Sequence, residues 1–304
     1  MRLEDIKNRL LADPADFVAE CDAAYHEKLR TVAQTIADRS RECPIVLISG
    51  PSGSGKTTSS KIVESYLDGM GLETHSIAMD NYFLPLTDEE KELLARNELD
   101  LESPVRMDAA LLQEHLEAFK DCREVELPKY HFPTSSRIKS GEVLKRKKDE
   151  LIIFEGIHSL NPELFGATDE FTSRVYVSVR TRVTLPEGHG ILHPSKIRLA
   201  RRMIRDRRSR NRAYEDTAAM FGSVERGEQN FIMPYKHRAQ MDIDTFIPYE
   251  LCVYKNFLPK DSPLSEPWLE ELFELLHALP TLDPSHVPAN SLIREFIGGG
   301  LSGE

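Results

Sequence analysis

The sequence predicts an α/β fold in three layers, a mainly parallel sheet covered by helices on both faces. Three observations predict it. Short apolar runs recur that are too dense to face water, amphipathic helical stripes alternate with them, and a glycine-rich turn joins the first run to the stripe that follows. Taken in order, Phe17, Val18, Cys21, Tyr25, Leu29, Val32 and Ile36 recur at helical spacing and predict one long amphipathic helix near the N-terminus. The run Ile45 to Ile48 predicts a buried strand leading into glycine-rich sequence. Ile62, Val63, Tyr66, Leu67 and Met70 mark the next helix, which Gly71 should stop. A second strand should end at Met79, and Asp108 can cap a helix burying Leu111, Leu112, Leu116 and Phe119. Further buried strands are expected at Leu151 to Phe154, Arg174 to Val179 and Asp242 to Phe246. Residues 125–149 read instead as two extended pieces around the Ser140-Gly141 turn, an antiparallel hairpin. Beyond residue 261, Pro-rich sequence surrounds one amphipathic helix with Trp268, Leu269, Leu272, Phe273 and Leu276, and the closing Gly-Gly-Gly-Leu-Ser-Gly-Glu predicts a flexible tail. The expected organisation is a helical extension (1–42), one large domain (43–260) with its hairpin at 123–149 and an Arg-rich helical segment at 181–222, and a C-terminal helix and tail (261–304).

Composition narrows the function classes. With 40% hydrophobic and 29% charged residues among 304, the chain fits an ordinary globular protein with a sizeable core. No apolar run approaches the roughly 18 residues of a membrane span, and the start MRLEDIKNRL lacks a secretory signal. Cys21, Cys43, Cys122 and Cys252 lie far apart without metal-like spacing and read as reduced thiols of a cytoplasmic protein. A net charge of −11 argues against general polyanion binding, so nucleic acid is disfavoured as a partner. A small-molecule partner without a membrane is expected, and the composition leaves room for a homo-oligomer.

The strongest chemical signal is Gly50-Pro51-Ser52-Gly53-Ser54-Gly55-Lys56-Thr57, followed by Thr58, a match to the P-loop pattern G-x-x-x-x-G-K-[ST]. Glycines let such a loop fold tightly, so that its N–H groups converge on phosphate oxygens at a helix N-terminus. Lys56 should reach the β- and γ-phosphates of ATP, and the Thr57 hydroxyl should ligate Mg²⁺. No N-K-x-D guanine motif and no LSGGQ motif is present, which sets aside G proteins and transporter ATPases.

Two carboxylates stand at strand ends, where ligands of parallel sheets bind. Glu155 follows the strand Leu151 to Phe154 and suits a metal site. Asp80 follows the second strand and can accept a hydroxyl proton or help hold the metal, as phosphoryl transfer to an alcohol requires. Lys196 to Arg212 carries nine basic residues in seventeen, with Arg198, Arg201, Arg205, Arg208 and Arg212 on one broad helical face. Three readings compete: a solvated face, a nucleic-acid patch, or a lid delivering arginines to the transferring phosphate. The acidic background disfavours the second and the P-loop favours the third.

The ordered motifs GPSGSGKTT, MDNYF, ESPVRMD, YHFPTSSR, FEGIHSLNPEL and RRMIRD resemble the uridine kinase and phosphoribulokinase-like family of P-loop kinases, with the nearer likeness to its bacterial nucleoside kinases. The stretch SVERGEQNFIMPYKHRAQMDIDTFIPYEL is similar to that branch as well, so the resemblance covers residues 43–258. It implies an ATP-dependent kinase acting on a nucleoside hydroxyl, or on another sugar, sugar-phosphate or polyol. It also implies Asp80 as general base and metal-linked residue, Glu155 as the second magnesium-associated carboxylate, and Glu102 on the ribose hydroxyls. Tyr130 would lie against the base, Arg137 would close the same substrate-binding motif, and Arg201 and Arg205 would act from the lid. Pyrimidine-specific members read YDF…H…R. Here His131 replaces the Asp, Ser135 stands where the histidine falls, and Glu102 replaces the usual Asp, which implies loose or non-pyrimidine base selection. The extra N-terminal module frequent in that branch has no room in the 42 residues before the sheet.

Overall fold

A computed structural model describes residues 1–96, 98–166, 168–184, 191–264 and 267–300. From the N-terminus, α1 (Leu3–Ala12) and α2 (Pro14–Arg39) precede β1 (Ile45–Ser49), α3 (Lys56–Gly69) and β2 (Thr74–Ala78). Then come α4 (Asp88–Ala95), α5 (Ala109–Lys120), β3 (Glu124–His131), β4 (Ser136–Lys145) and β5 (Leu151–Glu155). A short α6 (Pro162–Phe165) leads to β6 (Thr172–Ser178), the two-residue strands β7 (Val183–Thr184) and β8 (Ile191–Leu192), α7 (Pro194–Arg210) and α8 (Tyr214–Phe231). The described elements close with β9 (Met241–Asp244), α9 (Glu250–Tyr254), α10 (Pro267–Ala278) and the single turn α11 (Arg294–Ile297).

Five parallel strands form the central sheet in the order β2-β5-β1-β6-β9. Alternation along β1 divides the core. Val46 and Ile48 pack with α2, α3, α7 and the C-terminal segment, whereas Ile45 and Leu47 pack with α5, α6 and the base of the hairpin. Both faces are therefore covered, as the density of apolar residues in these strands requires. The strand order also places β5 between β1 and β2, so the loop after β1, Glu155 at the end of β5 and Asp80 after β2 meet at the carboxyl ends of the strands.

Local signals account for several boundaries. Asp13 caps α2 by accepting from Asp16 N–H, with Pro14 in the first turn, which separates α2 from α1. Gly71 (φ 85°) follows the last turn of α3, and Gly71 and Leu72 N–H donate back to the Asp68 and Leu67 carbonyls. The Asp108 carboxylate accepts from Leu111 N–H at the start of α5.

One expectation needs correction. The hairpin is antiparallel, but its turn lies at residues 132–135, closed by Ser135 with φ 48°. Ser140 and Gly141 sit inside β4, opposite a register shift between Glu126 and Pro128. Pro128 cannot donate to the ladder, so an irregularity forms there, and the Ser140 hydroxyl bonds to Leu127 C=O. The C-terminal segment that precedes the expected tail packs into the fold. Leu292, Ile293, Phe296 and Ile297 are buried in the main core, and the described chain continues to Gly300. Residues 301–304 of the expected tail, and 185–190 of the Arg-rich segment, lie outside the described residues. Among the described residues no helix is long and apolar enough to cross a membrane.

Candidate active site

The loop between β1 and α3 is held by its carbonyls. Arg198 Nη1 donates to Ser52 O at 3.2 Å, Arg201 Nη1 to Gly53 O at 3.2 Å, and Thr245 Oγ1 to Ser54 O at 2.6 Å. With three successive carbonyls drawn toward α7 and β9, the loop can present N–H groups to an anion at the start of α3. The backbone approach is too close for side chains. A Cβ at Gly50 would lie 1.9 Å from Val177 O, and one at Gly55 (φ 83°) would lie 2.6 Å from Leu292 Cδ1.

A cleft of about 220 Å³ opens from this loop and is bounded by Lys56, Thr57, Asp80, Glu155, Arg205 and Arg210. Thr57 Oγ1 donates to Glu155 Oε2 at 3.3 Å, and Lys56 Nζ stands 3.7 Å from Glu155 Oε1. Asp80 is exposed along the cleft, yet the protein packed round its carboxylate desolvates it enough to raise its pKa, against the pull of Lys56 and Arg210. Glu155 is likewise raised by burial, with Lys56 lowering it and the Asp80 charge raising it further. One hydroxyl and two carboxylates form a hard oxygen donor set, and that set fits a magnesium ion with water and phosphate completing its shell.

Glu102 does not line that cleft but lies close enough to feel the charges of Lys56 and Asp80. Burial raises its pKa, and Arg202, Lys56 and Asp80 all act on it electrostatically. It packs against Gly227 of α8 so closely that a Cβ there would lie 2.4 Å from Glu102 Cβ. Tyr130 is buried close to the hairpin turn, its ring centroid 5.7 Å from that of Phe83 and 5.1 Å from that of Phe132. Its N–H donates to Asn81 Oδ1, tying the hairpin to the turn that carries Asp80.

Not every expected residue joins this group. Arg201 has no exposed side-chain surface. It pairs with Glu250 and donates to the carbonyls of Gly53 and Thr245, so it braces the loop from behind and does not reach the cleft. From position 201 to 205 the helix turns slightly more than a full circle, and packing of α7 against the loop directs only Arg205 of the two forward. Arg137 donates to Asp108 Oδ2 and to the carbonyls of Tyr82 and Phe83, clamping the hairpin to α5. It lines a separate groove of about 550 Å³ between α5 and the hairpin. His131 is exposed and bonds Thr134.

Along most of α7 the arginines are drawn into pairs, and only the last turn exposes them, at Arg207, Arg208 and Arg210. Arg198 pairs with Glu228, Arg201 with Glu250, and Arg205, Arg210 and Arg212 converge on the fully buried Asp206. Arg202 Nη1 bonds Ser52 Oγ, and burial lowers its pKa to about 10.

Three participants escaped the sequence reading. Arg210 reaches the cleft from the last turn of α7. His158, two residues past Gly156, is buried near Glu102 and Phe231, and burial lowers its pKa to about 4, leaving it neutral. Glu295 enters from the C-terminal segment and accepts from Thr58 Oγ1 at 2.6 Å and Thr58 N–H at 3.3 Å. A closer look at FEGIHSL could have flagged His158, but nothing in sequence links Glu295 to a loop more than two hundred residues earlier.

Comparison with known proteins gives three results. A family model described as the Phosphoribulokinase / Uridine kinase family matches residues 45–249. The chain is similar to a uridine kinase of Anoxybacillus flavithermus, 28% identical over 208 residues, covering 67% of this chain and 87% of the relative. It is 30% identical over 206 residues to a uridine kinase of Staphylococcus haemolyticus, covering 66% and 86%. Among solved structures, a candidate fructose transport system kinase from Silicibacter sp. TM1040 superposes with a TM-score of 0.50 at 18% identity, covering 70% of this chain and 98% of that one, a likeness of fold.

Proposed function

Since the chain belongs to the phosphoribulokinase / uridine kinase family, we propose that it transfers the γ-phosphoryl group of ATP to a hydroxyl of a nucleoside-like small molecule. The observation that carries this reading is the meeting of Lys56, Thr57, Asp80, Glu155 and Arg205 in one cleft at the start of α3. In the reaction the acceptor oxygen bonds to the γ-phosphorus, the bond to the β,γ-bridging oxygen breaks, and ADP leaves. Asp80 takes the acceptor proton, and its partial desolvation favours protonation. Lys56, Arg205 and Arg210 face the oxygens on which charge is redistributed. Thr57, Glu155 and Asp80 would hold magnesium, which when bound neutralises phosphate charge. Glu102 would accept from the acceptor's hydroxyls, and Tyr130 with Phe83 and Phe132 offers an aromatic wall to a planar group.

The uridine kinases that resemble this chain support a nucleoside over a simple polyol. Ser135 lies half-buried on the hairpin turn with its hydroxyl turned to Phe132 C=O at 3.4 Å, which offers little discrimination between bases. The test is ADP release with Mg-ATP across nucleosides, sugars and polyols. Nucleosides, purines included, should stimulate turnover above polyols. A protein that binds ATP but shows no acceptor-stimulated turnover would refute the reading.

A further inference from the structure

The groove of about 550 Å³ between α5 and the hairpin shares no lining residue with the phosphate cleft. Its volume falls in the range of roughly 300–1,000 Å³ typical of small-molecule sites. Leu111, Glu114, His115 and Ala118 recur at helical spacing, so α5 turns one face toward it. Val125, Leu127 and Ile138 of the hairpin extend the apolar lining, and the exposed Lys139 joins it from β4.

One polar group in this lining is buried and held in a fixed direction. His115 is 7% exposed, and its Nδ1 lies 2.9 Å from Tyr82 Oη. Tyr82 is fully buried and its hydroxyl meets no other partner among the described residues, so it must donate to Nδ1. Burial lowers the His115 pKa, which keeps the ring neutral and leaves its proton on Nε2. Nε2 has no hydrogen-bond partner among the described residues and is not sealed from solvent, so its N–H faces the groove.

Charges of both signs line the same space: Arg123, Arg137 and Lys139 against Glu114, Glu124 and Glu126. Arg137 is committed to Asp108 and Arg123 stands 3.7 Å from Asp121, whereas Glu114 and Lys139 make no ion pair among the described residues. A ligand of one sign would meet a like charge here, and a ligand carrying both signs would not. We propose that this groove binds a zwitterionic small molecule with an apolar body, of the α-amino-acid class. Its carboxylate accepts from His115 Nε2–H beside Lys139, its ammonium meets Glu114, and its side chain covers Leu111, Ala118 and Ile138. The site uses none of the residues of the proposed phosphoryl transfer. It does rest on His115 and Arg137, the two side chains that hold Tyr82 at the end of the turn carrying Asp80.

Calorimetric titration of the full chain with L-phenylalanine, phenylpropionate and phenylethylamine tests the two ligand charges separately. L-phenylalanine should bind one site with a Kd of about 1 mM or below, and each singly charged analogue at least about tenfold weaker. Glu114→Lys and Lys139→Glu change exposed side chains, and each should weaken L-phenylalanine by at least about tenfold. Neither position lines the phosphate cleft, so ATP affinity should stay within about twofold in both variants. The absence of saturable L-phenylalanine binding up to about 10 mM overturns the inference. Equal affinity for all three probes does so too, as does undiminished L-phenylalanine binding in both variants with wild-type thermal midpoints.

Discussion

Arg201 and Glu250 form a two-pronged ion pair, Nε to Oε2 at 2.7 Å and Nη2 to Oε1 at 3.0 Å, with neither side chain exposed to solvent. The remaining guanidinium nitrogen reaches Gly53 O, so this pair connects α9 to the phosphate loop through α7. Removing one partner leaves the other charge buried, typically a loss of about 3–5 kcal/mol.

Arg201→Ala should therefore lower the thermal midpoint by about 10 °C, taking about 2–4 °C per kcal/mol for a chain of this size. Activity would fall with the folded fraction and with loop order. Arg205→Ala, which changes a cleft-facing charge, should lower kcat about 10²-fold and move the midpoint much less. Calorimetry and steady-state kinetics on both variants check this, and the opposite pattern would reverse the two roles.

Lys56→Ala should reduce kcat by several orders of magnitude in a folded protein, because the lost charge acts on the group being transferred. Near-normal turnover in that variant would remove the proposed chemistry from this cleft.

Asp80→Asn should cut kcat more than ATP affinity, since the shape remains and proton acceptance is lost. Glu155→Gln should instead raise the Mg²⁺ concentration needed for activity. Titrating magnesium at fixed ATP distinguishes the two, and unchanged rate and metal dependence in both would displace the site.

Glu295→Gln should tighten ATP binding. The carboxylate now accepts from Thr58 N–H and Oγ1 beside the phosphate cradle, and its charge opposes an incoming polyanion. Neutralising it should gain about 1 kcal/mol, roughly fivefold in Kd. Weaker binding in the variant would show that the carboxylate holds the loop in its binding form.

Acid stability should depend on Glu150. Burial alone would raise its pKa, but Lys147 and His75 outweigh that and bring it down to about 2. A depressed carboxylate contributes stability above its ordinary range near 4.5 and loses it as pH falls toward 2. Thermal midpoints measured from pH 6 to pH 2 should fall less steeply in Glu150→Gln, which starts lower at pH 6. Parallel curves for the two proteins would refute the assignment.

Much of this architecture was legible because its signals are local. The apolar runs around Ile45, Leu151 and Arg174 fall in strands, and the P-loop pattern gave the position of Lys56 and Thr57 at the head of α3. Strand ends carry ligands in parallel sheets, so Asp80 and Glu155 could be singled out before any coordinates. The hairpin turn was misplaced because Ser140-Gly141 has turn composition, whereas the register set by Pro128 puts it within a strand.

What the sequence by itself determined is the set of residues near the phosphate loop, since helix caps, glycine turns and strand periodicity act over a few residues. Only the tertiary structure decided which arginines of α7 face the cleft and which are walled in. Helical spacing puts Arg201 and Arg205 on neighbouring faces, and only packing against β9 and α9 separates a buried brace from a cleft-facing charge. Likewise, Glu295 reaches Thr58 across more than two hundred residues because Leu292, Ile293 and Phe296 bury themselves in the core beside α3. Hydrophobic burial carries no sequence range, so the contacts it brings together leave no periodic trace in the chain.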